Sequence, residues 1–204
     1  PPATTAESAA EHVLRMAPSY RATFGDAEIA RHARLAEGLG PERLAEIYVE
    51  PAGDRLWRVE VVAYDYAGEL AIICGLLTAF GLDIESGQVF TYEGDLAPGA
   101  RRNAGDRRKI VDAFVVRAER ALTDEDWARY ADDLRALLGL LEAGRADEAH
   151  GTLARRVAGD ARPPAGAPLG GGSGPARALA PLAIGVRNEA DAAHTVLTIE
   201  GPDT

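Results

Sequence analysis

The chain is short of several residue types that would point to particular classes of protein. Its 204 residues include one cysteine, one methionine and one lysine, and only 6% are aromatic. The single cysteine, Cys74, cannot form an internal disulfide and is expected to be a small core residue. No apolar run approaches the roughly 20 residues of a membrane-spanning helix, and no basic-then-apolar signal pattern occurs at the N-terminus. We therefore expect a cytoplasmic location.

The charge balance is acidic. Aspartate and glutamate number 32 against 22 arginine and lysine residues, which gives a formal net charge of −10. Such a chain has no broad basic surface to neutralise phosphate groups, so nucleic acid is not expected as a partner, and neither is a membrane. A hydrophobic fraction of 47% is enough to form the core of one or two compact units.

The first fifty residues have the patterns of short helices. Residues 7–16 form one candidate helix, which ends near Pro18, and Asp26 is interpreted as the N-cap of a second that runs to Gly38 or Gly40. Pro41 suits the first turn of a third helix that runs through Ile47. We therefore expect a helical linker or extension over residues 1–52.

The centre of the chain changes from a strand pattern to a helix pattern. Apolar residues alternate with Arg58 and Glu60 over residues 56–64, which indicates a strand. From Leu70 they recur with helical spacing, which predicts a helix over residues 68–80. The later elements are predicted from similar signals: a hairpin of strands 84–92 and 110–117, a helix opened by a capping box at Thr123 and Asp126, and strands at 182–188 and 195–200.

This order of elements predicts an α+β fold. A chain that runs βαββαβ folds most simply as a ferredoxin-like split βαβ sandwich, with two helices on one face of an antiparallel sheet. We assign residues 53–190 to this domain, with long loops at 93–109 and 159–180. The last strand, within residues 191–204, is left over, and the family resemblance given below implies that it is the first strand of a truncated second domain.

The first of these long loops is basic. It carries Arg101, Arg102, Arg107 and Arg108 in a glycine-rich segment. Its length and composition are typical of a mobile loop, whereas an arginine cluster also suits contact with an anion or a partner. Both interpretations stay open.

Several segments together resemble a known family. Residues 61–91, VVAYDYAGELAIICGLLTAFGLDIESGQVFT, are similar to an ACT domain, in which a strand ends in Asp-x-x-Gly-x-Leu and a Gly-Leu-x-Ile turn follows the helix. Residues 112–116, Asp-Ala-Phe-Val-Val, match the third strand of such domains. The flanking segments resemble parts of bacterial PII uridylyltransferase/uridylyl-removing enzymes: residues 15–20 and 28–35 resemble the linker before the ACT pair, and residues 186–190 and 194–199 the passage into the second ACT domain.

The resemblance implies a binding site for an amino-acid effector, most plausibly glutamine. In ACT domains the effector lies near the junction of strand and helix, where two domains meet. The residues implied are Asp65, Tyr66, Ala67, Gly68, Glu69, Leu70 and Asp83. Physical reasoning agrees in part, since unpaired amides at a helix start suit a carboxylate and Asp65 is able to receive an ammonium group. A helix cap and a tight turn would equally explain Asp65 and Gly68.

Two of these positions depart from the family pattern. Position 69 is Glu where members usually have an apolar residue, and position 83 is Asp where many carry Asn. Glu69 places negative charge beside the amides that would bind a carboxylate. An ionised Asp83 only accepts hydrogen bonds, whereas Asn also donates them.

The chain itself is expected to perform no catalysis. It contains no P-loop and no His-Asp pair of a metal phosphohydrolase, so no catalytic residue, metal or cofactor is expected, and His32 is interpreted as exposed or interhelical. The resemblance implies an allosteric ACT module of a nitrogen-regulatory nucleotidyltransferase, whose partners are an amino-acid effector and other ACT domains, within the chain or in a homodimer. Two alternatives stay open. One is a ligand-free ACT dimerisation or interaction module; the other is the ACT region of another enzyme of amino-acid metabolism, such as a glutamine synthetase adenylyltransferase-like protein or a large glutamate dehydrogenase.

Overall fold

The computed structural model describes residues 5–92, 108–160, 183–188 and 195–200. The chain divides into two compact units, with the division after Arg162. The first unit contains α1 (Thr5–Leu14), α2 (Pro18–Thr23), α3 (Asp26–Gly38), β1 (Ala45–Gly53), β2 (Leu56–Tyr64), α4 (Glu69–Ala79), β3 (Leu82–Thr91), β4 (Lys109–Ala118), α5 (Asp124–Glu142) and α6 (Ala146–Asp160). The second contains β5 (Ala183–Asn188) and β6 (Thr195–Glu200).

A four-stranded antiparallel sheet forms the centre of the first unit. Its strand order is β1-β2-β4-β3, so β2 and β4 are the inner strands. Helices cover both faces, which explains why the inner strands are rich in Val, Ile and Ala on both sides. The predicted α+β class is confirmed, and so are the strand at 56–64, the helix at 68–80 and the hairpin of 84–92 with 110–117, with small shifts at their ends.

The first strand corrects a prediction. Residues 45–53 form β1, so the expected third helix through Ile47 is wrong. β1 pairs with β2 in a hairpin whose register places Val49 opposite Val59. This pairing overrides the helical propensity of the preceding residues, because strand preference depends strongly on context. Pro51 is tolerated since β1 is an edge strand, where one backbone N–H is not needed.

Helices α4, α5 and α6 cover one face of the sheet. α5 begins at the predicted capping box, in which the Thr123 hydroxyl accepts from the Asp126 backbone N–H. Helix α6 was not predicted, and it packs on α4 at Gly75, where a Cβ atom would lie 2.6 Å from Leu153 Cδ2. The core on this face is formed mainly by Val59, Val61, Ile72, Ile73, Leu76, Leu77, Ile110, Phe114, Tyr130, Leu134, Leu137 and Leu138. Leu70, expected on the buried face of α4, is instead 37% exposed.

Helices α1, α2 and α3 cover the opposite face. Tyr20, Phe24 and Ile29 pack there with Val62 and Val111 of the inner strands. The N-terminal extension is thus a third layer of the first compact unit. His32, expected to be exposed or interhelical, is fully buried in this layer and approaches Glu60 of β2.

The second unit is a hairpin of β5 and β6, which confirms both predicted strands. The expected closing strand of the βαββαβ domain, residues 182–188, therefore pairs with β6, and the edge beside β2 is occupied by β1. Over the part of the chain that the structure describes, no helix is both long enough and apolar enough to span a bilayer.

Candidate functional site at the junction of β2 and α4

The predicted ligand loop connects the end of β2 at Tyr64 to the start of α4 at Glu69. Gly68 occupies the N-cap position with φ of 90°, a left-handed conformation that strains any residue with a Cβ atom. A Cβ atom at this position would also lie 3.2 Å from the imidazole of His150 on α6. Glycine is therefore favoured here both by the turn and by the close approach of α6.

Asp65 is held by the residue that precedes β4. Its backbone N–H donates to the carbonyl oxygen of Arg108 at 2.9 Å, and its Oδ2 lies 2.8 Å from Nη2 of Arg108. The N-cap of α4 is Gly68, so the interpretation of Asp65 as the helix cap is wrong. Asp65 instead fixes the last part of the basic loop. Arg101, Arg102 and Arg107 of that loop lie outside the described residues.

Glu69 is the first residue of α4, and only 9% of its surface is exposed. Burial raises the pKa of its carboxyl group, while the backbone N–H groups of Glu69 and Leu70 favour the carboxylate and partly offset this effect. The Glu69 N–H also donates to the Tyr66 carbonyl oxygen at 3.1 Å, so it is not one of the unpaired amides of the helix start. A carboxylate of the chain itself therefore lies where the sequence analysis placed the carboxylate of a ligand.

Asp112, in the middle of β4, is a site residue that sequence reasoning did not select. It is fully buried, and neither carboxylate oxygen has a hydrogen-bond partner among the described residues. Burial raises its pKa well above the usual value, and the charges of Glu69 and Asp65 add to this effect. The sequence signal that could have identified Asp112 is its position as the single acidic residue in the otherwise apolar run 110–116.

Two further polar groups lie under α4 near Asp112. The hydroxyl of Tyr130 is buried without a hydrogen-bond partner among the described residues. Burial raises its pKa, and Cys74 and Asp112 contribute to the shift. Burial likewise raises the pKa of the Cys74 thiol, a half-buried residue that packs against the core as expected. These groups make the space under α4 partly polar, and Tyr130 lies towards the C-terminal end of that helix, where its ring packs against Phe80.

The other residues of the predicted effector site do not all lie at the junction. Tyr66 is half-buried and packs against the core, whereas Ala67 is exposed. Asp83 is exposed at the start of β3, beyond the C-terminal end of α4. Since α4 has 11 residues, its ends are about 16 Å apart at 1.5 Å per residue. The fold thus brings Asp65 and Glu69 together with Asp112, and leaves Asp83 at the far end of the helix.

The chemistry of the junction suits a cationic or zwitterionic group more than a metal ion. Three carboxyl groups, those of Asp65, Glu69 and Asp112, influence one another there, with Arg108 as their nearby cation. In the described ranges, no three or more His, Cys, Asp or Glu side chains are placed to share a metal ion.

Comparisons with known proteins assign no family to the chain. A scan against protein-family models gives no match, and a search of curated proteins finds no significant similarity. The ACT resemblance therefore enters the functional interpretation as a proposal.

Proposed function

We propose that this chain is an ACT-type regulatory module that binds an amino-acid effector at the junction of β2 and α4. The observation that carries the proposal is the left-handed turn at Gly68, with Asp65 beside it and the unpaired carboxyl group of Asp112 buried beneath. A turn of this kind brings backbone N–H groups and acidic side chains together. An α-amino acid needs donors for its carboxylate and acceptors for its ammonium group.

The order of elements supports a ferredoxin-like ACT arrangement. From β2 onward the chain runs β2, α4, β3, β4, α5, and β4 lies between β2 and β3. This is the β-α-β-β-α part of a split βαβ sandwich. The position beside β2, which the last strand of that sandwich would fill, is taken by β1 from the N-terminal side. Residues 191–204 would begin a second domain, and the effector would then bind between two such domains.

Effector binding would require Glu69 to move. The N–H groups of Glu69 and Leu70 stabilise its carboxylate, and a ligand carboxylate would need the Leu70 N–H, because the Glu69 N–H also donates to the Tyr66 carbonyl oxygen. The ammonium group of the effector would pair with Asp65 or Asp112. Because the effector would favour one arrangement of the ACT domains over another, it would bias distant catalytic domains without chemistry in this chain. The parent protein would be a cytoplasmic nitrogen-regulatory nucleotidyltransferase, or another enzyme of amino-acid metabolism that carries ACT domains.

Calorimetric titration with glutamine tests this proposal. We expect weak heat from the natural chain and several-fold tighter binding by Glu69→Ala, since the amides at the start of α4 become free. Asp83→Asn, at the opposite end of α4, should bind as the natural chain does. Absence of heat from both the natural chain and Glu69→Ala at millimolar glutamine would count against an amino-acid sensor.

A second candidate function, a ligand-free dimerisation module, is favoured by the edge strand β3. Ile84 and Val89 are 39% and 46% exposed. The register of β3 against β4 shifts between Ile84 and Ser86, which places Ile84 opposite Val116 and Val89 opposite Asp112. Ile84 and Val89 therefore lie on the same face of the sheet, the face that α4 covers. Two β3 strands paired antiparallel about Gly87, with Glu85 as the bulged residue, would place Ile84 of each copy opposite Val89 of the other.

Sedimentation of the chain tests this second candidate. We expect a dimer that glutamine does not alter and that Val89→Lys converts to a monomer, because a charge replaces an apolar contact. Val157→Lys provides the matched control, since Val157 on α6 has a similar exposure of 37%. A monomeric natural chain, or equal effects of both substitutions, would contradict pairing through β3.

A further inference from the structure

A continuous series of polar side chains crosses the N-terminal helical layer. His32 Nε2 lies 3.0 Å from Oε2 of Glu60, and His32 Nδ1 lies 2.6 Å from the Tyr20 hydroxyl. The same hydroxyl is 2.8 Å from His12 Nε2, and His12 Nδ1 is 2.5 Å from the Tyr92 hydroxyl. We call these five residues the polar chain. It joins β2, α3, α2, α1 and the end of β3 through consecutive contacts.

The polar chain is closed to solvent along its length and meets the surface at one end. Glu60, His32 and Tyr20 are fully buried, and His12 is nearly so. Tyr92 lines a cleft of about 260 Å³, together with Glu11, His12, Arg15, Ala33, Ala36, Glu37 and Lys109. A volume of this size accommodates several water molecules at roughly 30 Å³ each. Protons from water can therefore reach the polar chain at its Tyr92 and His12 end, whereas Tyr20, His32 and Glu60 are fully buried.

The inner end of the polar chain is a fixed negative charge. Burial disfavours the carboxylate of Glu60, but the contact with His32 and the hydrogen bonds from Arg31 outweigh burial and lower its pKa to about 2. Arg31 donates to both oxygens, from Nε at 2.8 Å and from Nη2 at 2.7 Å. At neutral pH the Glu60 carboxylate therefore accepts hydrogen bonds and donates none. His32 Nε2 must then carry the proton that faces it.

The middle members of the polar chain stay neutral near pH 7. Burial, together with the charges of His32 and Lys109, lowers the pKa of His12 to about 4. Burial raises the pKa of Tyr20, and it raises that of Tyr92 to about 12. A neutral imidazole has one donor and one acceptor nitrogen, and a phenol has one proton to donate. Both ring nitrogens of His12 are engaged, so its tautomer is set by its neighbours.

Counting protons along the polar chain gives two self-consistent arrangements. With His32 neutral, Tyr20 donates to His32 Nδ1, His12 Nε2 donates to Tyr20, and Tyr92 donates to His12 Nδ1. With His32 doubly protonated, every one of these three hydrogen bonds runs in the opposite direction. Tyr20, His12 and Tyr92 are neutral in both arrangements, and the two differ by one proton. In both arrangements His32 Nε2 carries the proton that faces Glu60, at 3.0 Å from Oε2.

We propose that His32 is a proton-binding site filled from the cleft through Tyr92, His12 and Tyr20. A proton that bonds to the Tyr92 oxygen releases the former hydroxyl proton to His12 Nδ1. His12 Nε2 passes its proton to the Tyr20 oxygen, and Tyr20 passes its former proton to His32 Nδ1. Each transfer forms one bond to hydrogen and breaks one. The net result is a charged His32 beside Glu60 and a His12 that has changed tautomer without gaining charge.

The charges around the polar chain favour its inner end as the resting place of the proton. At the cleft, Lys109 donates to the Ala36 carbonyl oxygen at 2.6 Å, and Arg15 lies 2.7 Å from Glu11. At the inner end, Arg31 neutralises Glu60, and Arg58 pairs with Glu28 and Glu50. The titratable and charged groups that face the polar chain are Glu11 and Arg15 of α1, Glu28, Arg31 and Glu37 of α3, Tyr48 and Glu50 of β1, Arg58 of β2, and Lys109 of β4. The inner end thus has three carboxyl groups, those of Glu28, Glu50 and Glu60, against two guanidinium groups, whereas two acidic and two basic groups face the cleft.

Nitrogen-detected NMR of the imidazole rings, followed as the pH is lowered, tests this proposal. We expect His12 to stay neutral, with its proton on Nε2 whenever His32 is neutral and on Nδ1 whenever His32 is doubly protonated. The two changes should share one midpoint. A His12 that keeps the Nε2 proton while His32 gains charge, a His12 that charges first, or a His32 that never charges would overturn the proposal.

Tyr20→Phe should uncouple the two histidines, because it removes the hydroxyl that links them. Tyr48→Phe is the matched control, since Tyr48 contacts Arg31 at the same sheet face but lies outside the polar chain. In Tyr48→Phe the shared midpoint should persist. If Tyr20→Phe fails to fold, Tyr92→Phe provides the second test: it leaves the Tyr20 hydroxyl between the two histidines, so the tautomer change of His12 should persist. Coupling that survives in Tyr20→Phe, or that is lost in Tyr92→Phe, would also overturn the proposal.

Discussion

Arg31 of α3 donates hydrogen bonds to both carboxylate oxygens of Glu60 on β2, from Nε to Oε2 at 2.8 Å and from Nη2 to Oε1 at 2.7 Å. The Glu60 side chain is fully buried, and only 16% of the Arg31 side chain is exposed. The guanidinium also stacks 4.0 Å from the centre of the Tyr48 ring. This ion pair joins the N-terminal helical layer to an inner strand of the sheet. Removing one partner leaves a buried charge without compensation.

Glu60→Gln should lower the free energy of unfolding by about 3 kcal/mol, the usual cost of breaking a buried ion pair from one side. Urea unfolding at pH 7 measures this loss. Glu85→Gln is the matched control, because Glu85 pairs with Arg117 at 2.5 Å on the exposed surface. That control should change the free energy by less than about 1 kcal/mol. Equal losses for the two variants would contradict the role of the buried pair.

The contribution of Glu60 should also depend on pH. Its pKa falls from 4.5 to about 2 on folding, so the folded state favours the charged form. The stabilisation is present above pH 4.5 and is lost as the pH falls from 4.5 towards 2. The difference between the natural chain and Glu60→Gln in urea unfolding should therefore shrink over this interval. A difference that stays constant down to pH 2 would show that Glu60 acts through packing alone.

The Arg31–Glu60 pair also shows where sequence patterns stop being informative. The alternation of apolar residues with Arg58 and Glu60 correctly predicts β2. The same alternation indicates a sheet with one solvated face, whereas α1, α2 and α3 cover that face and Glu60 is fully buried. Periodicity reports that two faces differ in polarity, and does not report what covers each face. The partner of Glu60 comes from residues 29 positions earlier.

The candidate site was predicted only in part for a related reason. Asp65, Gly68 and Glu69 are adjacent in sequence, so the change from strand to helix pattern located them. Asp112 reaches the same place through the pairing of β4 between β2 and β3, which no local pattern specifies. Asp83 was placed with the site by family resemblance. The length of α4 keeps it away within a single chain.

Gly68→Ala should destabilise the fold by more than Gly144→Ala. Both glycines have positive φ, 90° and 72°, so both substitutions place an alanine in the left-handed region at a cost of about 1 to 2 kcal/mol. Only at Gly68 does the new Cβ also meet the His150 ring, at 3.2 Å, while nothing lies within 4 Å of the same position at Gly144. Thermal and urea unfolding measure the difference. The additional cost at Gly68 should disappear in the His150→Ala background, and its persistence there would assign it to the turn itself.

Asp112→Asn should stabilise the chain at pH 7 and above, and have little effect near pH 4. Burial and the charges of Glu69 and Asp65 raise the pKa of Asp112 in the folded state, so folding favours its protonated form. A raised pKa contributes stability that is complete below the unfolded value of 3.8 and is lost as the pH rises through the folded value. Each unit of the shift corresponds to about 1.4 kcal/mol at high pH. Asparagine has the same shape and no charge, so it removes this loss while it retains the cost of burying unpaired polar atoms.

Urea unfolding at several pH values should therefore show that the free energies of unfolding of the natural chain and Asp112→Asn diverge as the pH rises. Asp83→Asn changes an exposed position, so its free energy of unfolding should follow that of the natural chain at every pH. If Asp112→Asn instead destabilises the chain increasingly as the pH rises, Asp112 is ionised in the folded protein, and a cation that balances its charge must lie beside it under α4.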